Sequence, residues 1–124
     1  MSFEVHYDED SGIIQTKFTG VLNQQVVEEF LRRMDEVLPE HPASTGHLVD
    51  ATEAQLALAV ADLYFLPIDL QAHSRRYNSK RAILVTQKER DKFDFLETAA
   101  GNQGYALRIF TDRGKAEDWL NTAE

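Results

Sequence analysis

The stretch 107-LRIFTDRGKAEDWL-120 decides how this chain is read. With Ala106 ahead of it, its opening is a short apolar run bounded by turn residues, the pattern of a buried strand. Thr111 or Asp112 then stands where a helix N-cap is expected, because either side chain can accept from the free N–H groups of a first turn. Ala116, Trp119 and Leu120 follow at helical spacing and share one face. The spacing predicts a short helix docked through that face, with Trp119 as the anchor that seals it onto a sheet.

Working back from this ending, 82-AILVT-86 is apolar on both faces, as a central parallel strand must be. Thr86 and Glu89 form a T-x-x-E capping box for the next helix. Phe93, Leu96 and Ala100 line one side of that helix, and Gly101 is its expected C′ residue. RRYNSKR (75–81) reads as a polar, basic connector. Residues 59–72 read as a helical region bent or broken near Pro67. HLVDA (47–51) reads as a short strand after the loop HPASTG (41–46).

Earlier still, Val26, Val27, Phe30, Leu31, Met34, Val37 and Leu38 form one apolar stripe. It predicts a helix over 23–38, capped by Asn23 and stopped by Pro39. Phe3–Tyr7 and the alternating run from Ile14 to Thr19 read as an N-terminal hairpin joined by DEDSG (8–12). The element order is β-β-α-β-α-β-α-β-α. It predicts an α/β fold: a single domain over 1–124, with a mostly parallel sheet of about five strands and right-handed crossovers.

Composition narrows the function. With 13 Lys and Arg against 21 Asp and Glu, the formal net charge is −8, which repels nucleic acid over most of the surface. There is no cysteine, hence no disulfide, thiolate nucleophile or Cys-ligated metal. MSFEVHYDEDSG has no basic segment followed by an apolar one, so a cytoplasmic location is expected. LALAVADLYFLPIDL (56–70) is the most apolar stretch, but it is too short and too charged to span a bilayer. An integral membrane protein is therefore not expected.

The element order, the AILVT strand and the close at Phe110, Thr111, Asp112, Ala116, Trp119 and Leu120 together resemble the bacterial SpoIIAA-like (STAS-type) family. The resemblance follows the element order along nearly the whole chain. It implies a sheet with strands added in sequence, helices mainly on one side, and non-enzymatic protein–protein work. In the anti-sigma-factor antagonists of that superfamily, a Ser in an Asp-Ser-x-Gly motif is phosphorylated and switches binding. Here Asp50 is followed by Ala51-Thr52-Glu53, with neither the Ser nor the Gly, and the only hydroxyl before Tyr64 is Thr52. The phosphoswitch is not carried over. A related fold occurs in SEC14-type lipid-exchange domains, which adds an apolar small molecule to the ligands considered.

No catalytic constellation emerges, so no enzyme activity and no cofactor are expected. His41, His47 and Asp50 make a weak metal motif, because loop histidines without fixed spacing do not define a site. Two features stand out. Leu63, Tyr64, Phe65, Leu66 and Ile68, with Tyr77 nearby, are too many large side chains for one helical stripe. They fit deeper core, a homodimer interface, or a crevice near 56–77 for a lipid or other apolar molecule. Arg75, Arg76, Lys80 and Arg81 put four of the 13 cationic residues within seven positions, a candidate patch for an anionic partner. The expected function is thus a non-catalytic, STAS-like interaction and regulatory module, homodimeric and with a protein partner. The alternative is a carrier of an apolar small molecule.

Overall fold

The computed structural model describes residues 3–37, 40, 46–57, 80–102 and 106–122, with the side chains of 95, 96 and 99–102 outside the description. Strand β1 (Phe3–Asp8) turns into β2 (Ile13–Leu22) through the acidic loop. Asp8 builds that turn: its carboxylate accepts from the Ser11 hydroxyl and the Asp10 N–H, and its carbonyl accepts from the Gly12 N–H at 2.8 Å. Gly12 supplies the left-handed φ of 74° that closes it.

Helix α1 (Gln24–Val37) follows, then β3 (Gly46–Leu56), β4 (Arg81–Leu84), α2 (Arg90–Asn102), β5 (Leu107–Phe110) and α3 (Arg113–Leu120). The sheet order is β1-β2-β3-β4-β5, with β1 antiparallel to β2 and all later pairs parallel. The mostly parallel five-strand sheet with strands in sequence is thus as expected. The proposed helical segment of 59–72 lies outside the described residues.

Alternation along the strands sends two apolar sets to opposite faces. Ile14, Phe18, Val49, Ile83, Leu107 and Ile109 meet Val27, Phe30 and Met34 of α1 and Phe93 of α2. Ile13, Leu48, Ala82 and Leu84 meet Ala116 and Leu120 of α3 on the other face. Gly46 permits the close approach of α3, since a Cβ there would stand 2.7 Å from Leu120 Cδ2. Strand β4 is buried on both faces, which accounts for its unbroken apolar run.

Three details differ from the sequence reading, and one alternative is resolved. Strand β3 runs on to Leu56 instead of ending at Ala51. Lys17 pairs with Asp50 but Thr19 pairs with Glu53, so two steps of β2 face three of β3: a β-bulge at Ala51–Thr52. The bulge moves the inward positions from Val49 and Ala51 to Ala54, which hides the period-2 signal. Helix α2 continues through Gly101 to Asn102, so Gly101 lies within the helix and is not its C′ residue. Thr86 does accept from the Glu89 N–H, at 3.3 Å, one turn ahead of α2. Trp119 is only half-buried, stacked on Phe110 at the rim, while Ala116 and Leu120 fill the core contact. Asp112, and not Thr111, is the N-cap of α3, accepting from the Gly114 N–H at 2.8 Å.

Candidate interaction surface

Of the residues singled out in the sequence, Leu63, Tyr64, Phe65, Leu66, Ile68, Arg75, Arg76 and Tyr77 lie outside the described residues. Lys80 and Arg81 are described, and neither is a free surface cation. The Lys80 ammonium donates to the Trp119 carbonyl at 3.2 Å, the Thr122 carbonyl at 3.1 Å and the Thr122 hydroxyl at 2.7 Å. It also stands 5.3 Å from the Trp119 ring centre. A cation there complements the carbonyl end of α3.

Arg81 is buried, at 3% exposure, and this corrects its place in a solvent-facing patch. As the first residue of β4 it pairs in register with His47 on one side and Leu107 on the other. Its side chain joins the face covered by α1, with the guanidinium 5.5 Å from the Phe30 ring centre. The connector reading failed because the chain has already entered the sheet at this position.

His47 lies beside it with no exposed surface. Its Nε2 shares a 2.8 Å hydrogen bond with the Thr16 hydroxyl, and its ring stacks on Phe30 at 5.4 Å. Burial, and secondarily the Arg81 charge, hold the imidazole pKa well below its ordinary 6.5, so the ring is neutral. Asp50, three residues on, belongs to the opposite face and lines a hollow there with Leu48 and Arg113. The pair therefore cannot share a metal. Among the described residues, no three His, Asp or Glu side chains gather as ligands.

The polar chemistry of the described molecule collects around Asp50. One carboxylate oxygen accepts from the Thr52 N–H at 3.0 Å and the Thr52 hydroxyl at 2.6 Å, so Asp50 satisfies the backbone that the bulge frees. The other oxygen accepts from Arg113 at 2.9 Å, across from the first turn of α3. Burial pushes the Asp50 carboxyl up, but the Thr52 hydrogen bonds and the Arg113 guanidinium outweigh it and keep its pKa below the usual carboxylate value. Thr52 thus lies within a strand with its hydroxyl engaged, not at the start of a helix.

Beside this clamp, the β1–β2 half of the same face is not packed under any helix of the described residues. Glu4, His6, Gln15 and Lys17 line it together with Leu48, Asp50 and Arg113, around a hollow of about 140 Å³. Lys17 pairs with Glu53, whose hydrogen bond and charge raise the lysine pKa. The sequence reading missed this surface, because its members come from four elements and none forms a linear motif. The Glu4–Lys17 and Lys17–Asp50 register pairs could have been found only with the strand alignment in hand.

The opposite face holds a smaller hollow of about 50 Å³, lined by apolar side chains such as Phe18, Leu56 and Phe93 and by Arg81. No helix among the described residues is long and apolar enough to cross a membrane.

No protein-family model matches the sequence, and no curated protein does. Solved structures do match in fold. A DUF3478-family protein with a SpoIIAA-like fold from Shewanella loihica PV-4 is 19% identical, covering 95% of this chain and 91% of its own, with a TM-score of 0.57. An anti-sigma factor antagonist from Mycobacterium paratuberculosis is 9% identical, covering 98% and 96%, with a TM-score of 0.63. Unphosphorylated SpoIIAA, an anti-sigma factor antagonist, is 11% identical, covering 95% and 96%, with a TM-score of 0.59. The chain has a SpoIIAA-like fold.

Proposed function

We propose that this chain is a non-catalytic, STAS-like regulatory module that binds a protein partner through the polar side of its sheet around Asp50. The observation that carries the reading is the Asp50–Arg113 clamp. It fixes a bulge where β4 pairing ends, beside a polar half-sheet that no described helix covers. In open α/β sheets the carboxyl ends of the strands are the usual place for binding. The fold shared with two anti-sigma factor antagonists supports partner binding as the mode of action. The switch is not a phosphoserine at this site, because Ala51-Thr52 stands after Asp50 and the Thr52 hydroxyl is spent on the bulge.

Affinity purification from the cells that make the protein tests this reading. Wild type and Arg32→Glu, on the exposed side of α1, are expected to retain the same partner, and Arg113→Glu to lose it while staying folded. Equal recovery with all three forms would place the partner elsewhere.

A second reading is carriage of an apolar small molecule. The 50 Å³ hollow supports it, together with the apolar set Leu63–Leu66, Ile68 and Tyr77 and the cations Arg75 and Arg76. That hollow alone is below the several hundred Å³ typical of a small-molecule site. Extraction of gently purified protein followed by mass spectrometry decides the matter. A stoichiometric lipid lost in Tyr64→Ala and Arg75→Ala would support the carrier, and a clean protein mass would end it.

A further inference from the structure

We propose that the free edge of β1 is a homodimer interface, joining two copies into one continuous sheet by antiparallel β1–β1 pairing about a twofold axis at Val5. A sheet that does not close has two edges, and each is a template for another strand. The two edges of this sheet are treated differently. At β5 the strand is four residues long, and the Ile109 N–H is taken by the Glu97 carboxylate of α2 at 3.1 Å. At β1 six residues run in unbroken register along β2, with no proline and no bulge, and β2 is its only neighbour among the described residues.

The side chains of β1 select the partner. Antiparallel pairing of identical strands about a twofold axis perpendicular to the sheet keeps each face on its own side. Opposed residues must then share a face, and the axis must pass through a residue position. Centred on Glu4, the pairing sets Glu4 against itself. Centred on His6, it sets His6 against itself and Glu4 against Asp8. Centred on Tyr7, it joins only residues 6–8. Centred on Val5, it joins residues 3–7 and opposes no like charges.

In that register Glu4 faces His6 of the partner subunit twice over, and Lys17 flanks each Glu4 within its own sheet. On the other face half-buried Val5 meets its own copy, and Phe3 stands opposite Tyr7 of the partner subunit. Room exists for that tyrosine: an open groove of about 610 Å³ runs between Phe3 and the Glu29, Arg32, Arg33 and Glu36 side of α1. Backbone pairing supplies affinity in such strand additions, and the alternating side chains supply register.

Sedimentation velocity of the full chain, combined with single-cysteine cross-linking, tests the interface; the natural sequence has no cysteine to interfere. Wild type is expected to sediment as a dimer. Glu4→Lys, which removes the carboxylate facing His6 of the partner subunit and sets a second cation beside Lys17 at both ends of the pairing, is expected to weaken association about tenfold or more. The double variant Glu4→Lys/His6→Glu is expected to restore it, a rescue that general damage to β1 would not show. Val5→Cys is expected to form a symmetric disulfide on mild oxidation, and Gln55→Cys, exposed on β3, is not. A wild type that stays monomeric at the highest workable concentration overturns the proposal. So does a dimer indifferent to Glu4→Lys and without the Val5→Cys cross-link, which would place the contact on another surface such as 56–70.

Discussion

At the β4 end of the sheet, residues Arg81 to Leu84 are all buried, with α1 and α2 over one face and α3 over the other. At the β1 end, among the described residues, only one face is covered: Phe3, Val5 and Tyr7 turn to the core while Glu4 and His6 are exposed. The same alternating backbone serves both ends, and what differs is whether one of the described helices covers the second face. Burial on both faces and exposure on one are thus separated along the strand order, with the proposed partner surface at the exposed end. The clad end tolerates little change, whereas the bare end can carry charge, hollows and a free edge at small cost to folding.

If that separation is correct, the largest effect comes from the clad end. Phe93→Ala empties a fully buried site facing β4 and β5 and should cost about 3–5 kcal/mol in urea unfolding. A cost near zero would mean that α2 does not brace the sheet. Next comes the buried imidazole between the two ends. His47 binds its proton more weakly folded than unfolded, so its stability contribution is complete above pH 6.5 and is lost as pH falls from there towards the lowered native value. The slope should approach about 1.4 kcal/mol per pH unit, the limit for one proton. It should flatten in His47→Gln, as read by denaturation at a series of pH values.

Smaller effects belong to the bare end. Asp50→Ala frees the bulge backbone and strands Arg113, and should cost about 1 kcal/mol, since the site is partly open to water. The loss should vanish at low pH. The carboxylate's contribution is complete above its ordinary pKa of 3.8 and is lost as pH falls from there through the still lower native value. Smallest of all, Lys17→Ala removes an exposed ion pair with Glu53 and should shift stability by no more than about 0.5 kcal/mol. A large loss there would show that the bare face is structural after all, and would blur the contrast between the ends.

Legibility in the sequence follows the same division. The core of AILVT could be read because Ala82, Ile83 and Leu84 are buried on both sides and all apolar, although the strand begins at Arg81 and ends at Leu84 instead of Thr86. The α1 stripe could be read because Val26, Val27, Phe30, Met34 and Val37 all face one way, and all are buried. Arg81 could not, because a long cationic residue reads as solvated until the register puts it beside His47 and under Phe30. The second half of β3 could not, because one extra residue at Ala51–Thr52 breaks the alternation on which a strand is recognised. The candidate surface was illegible for a further reason. Glu4, Lys17, Asp50 and Arg113 are scattered over more than a hundred positions and meet only through strand pairing and the docking of α3.

Trp119 is the sole indole of the chain. It is half-buried where α3 meets the sheet, beside Phe110, Lys80 and Arg108. The protein therefore carries its own optical gauge. Selective excitation of that single chromophore reports whether the last helix is seated, without any label, and does so a few residues from the Arg113 end of the proposed partner site. Its emission wavelength and its accessibility to a quencher can follow helix seating in real time as a partner arrives.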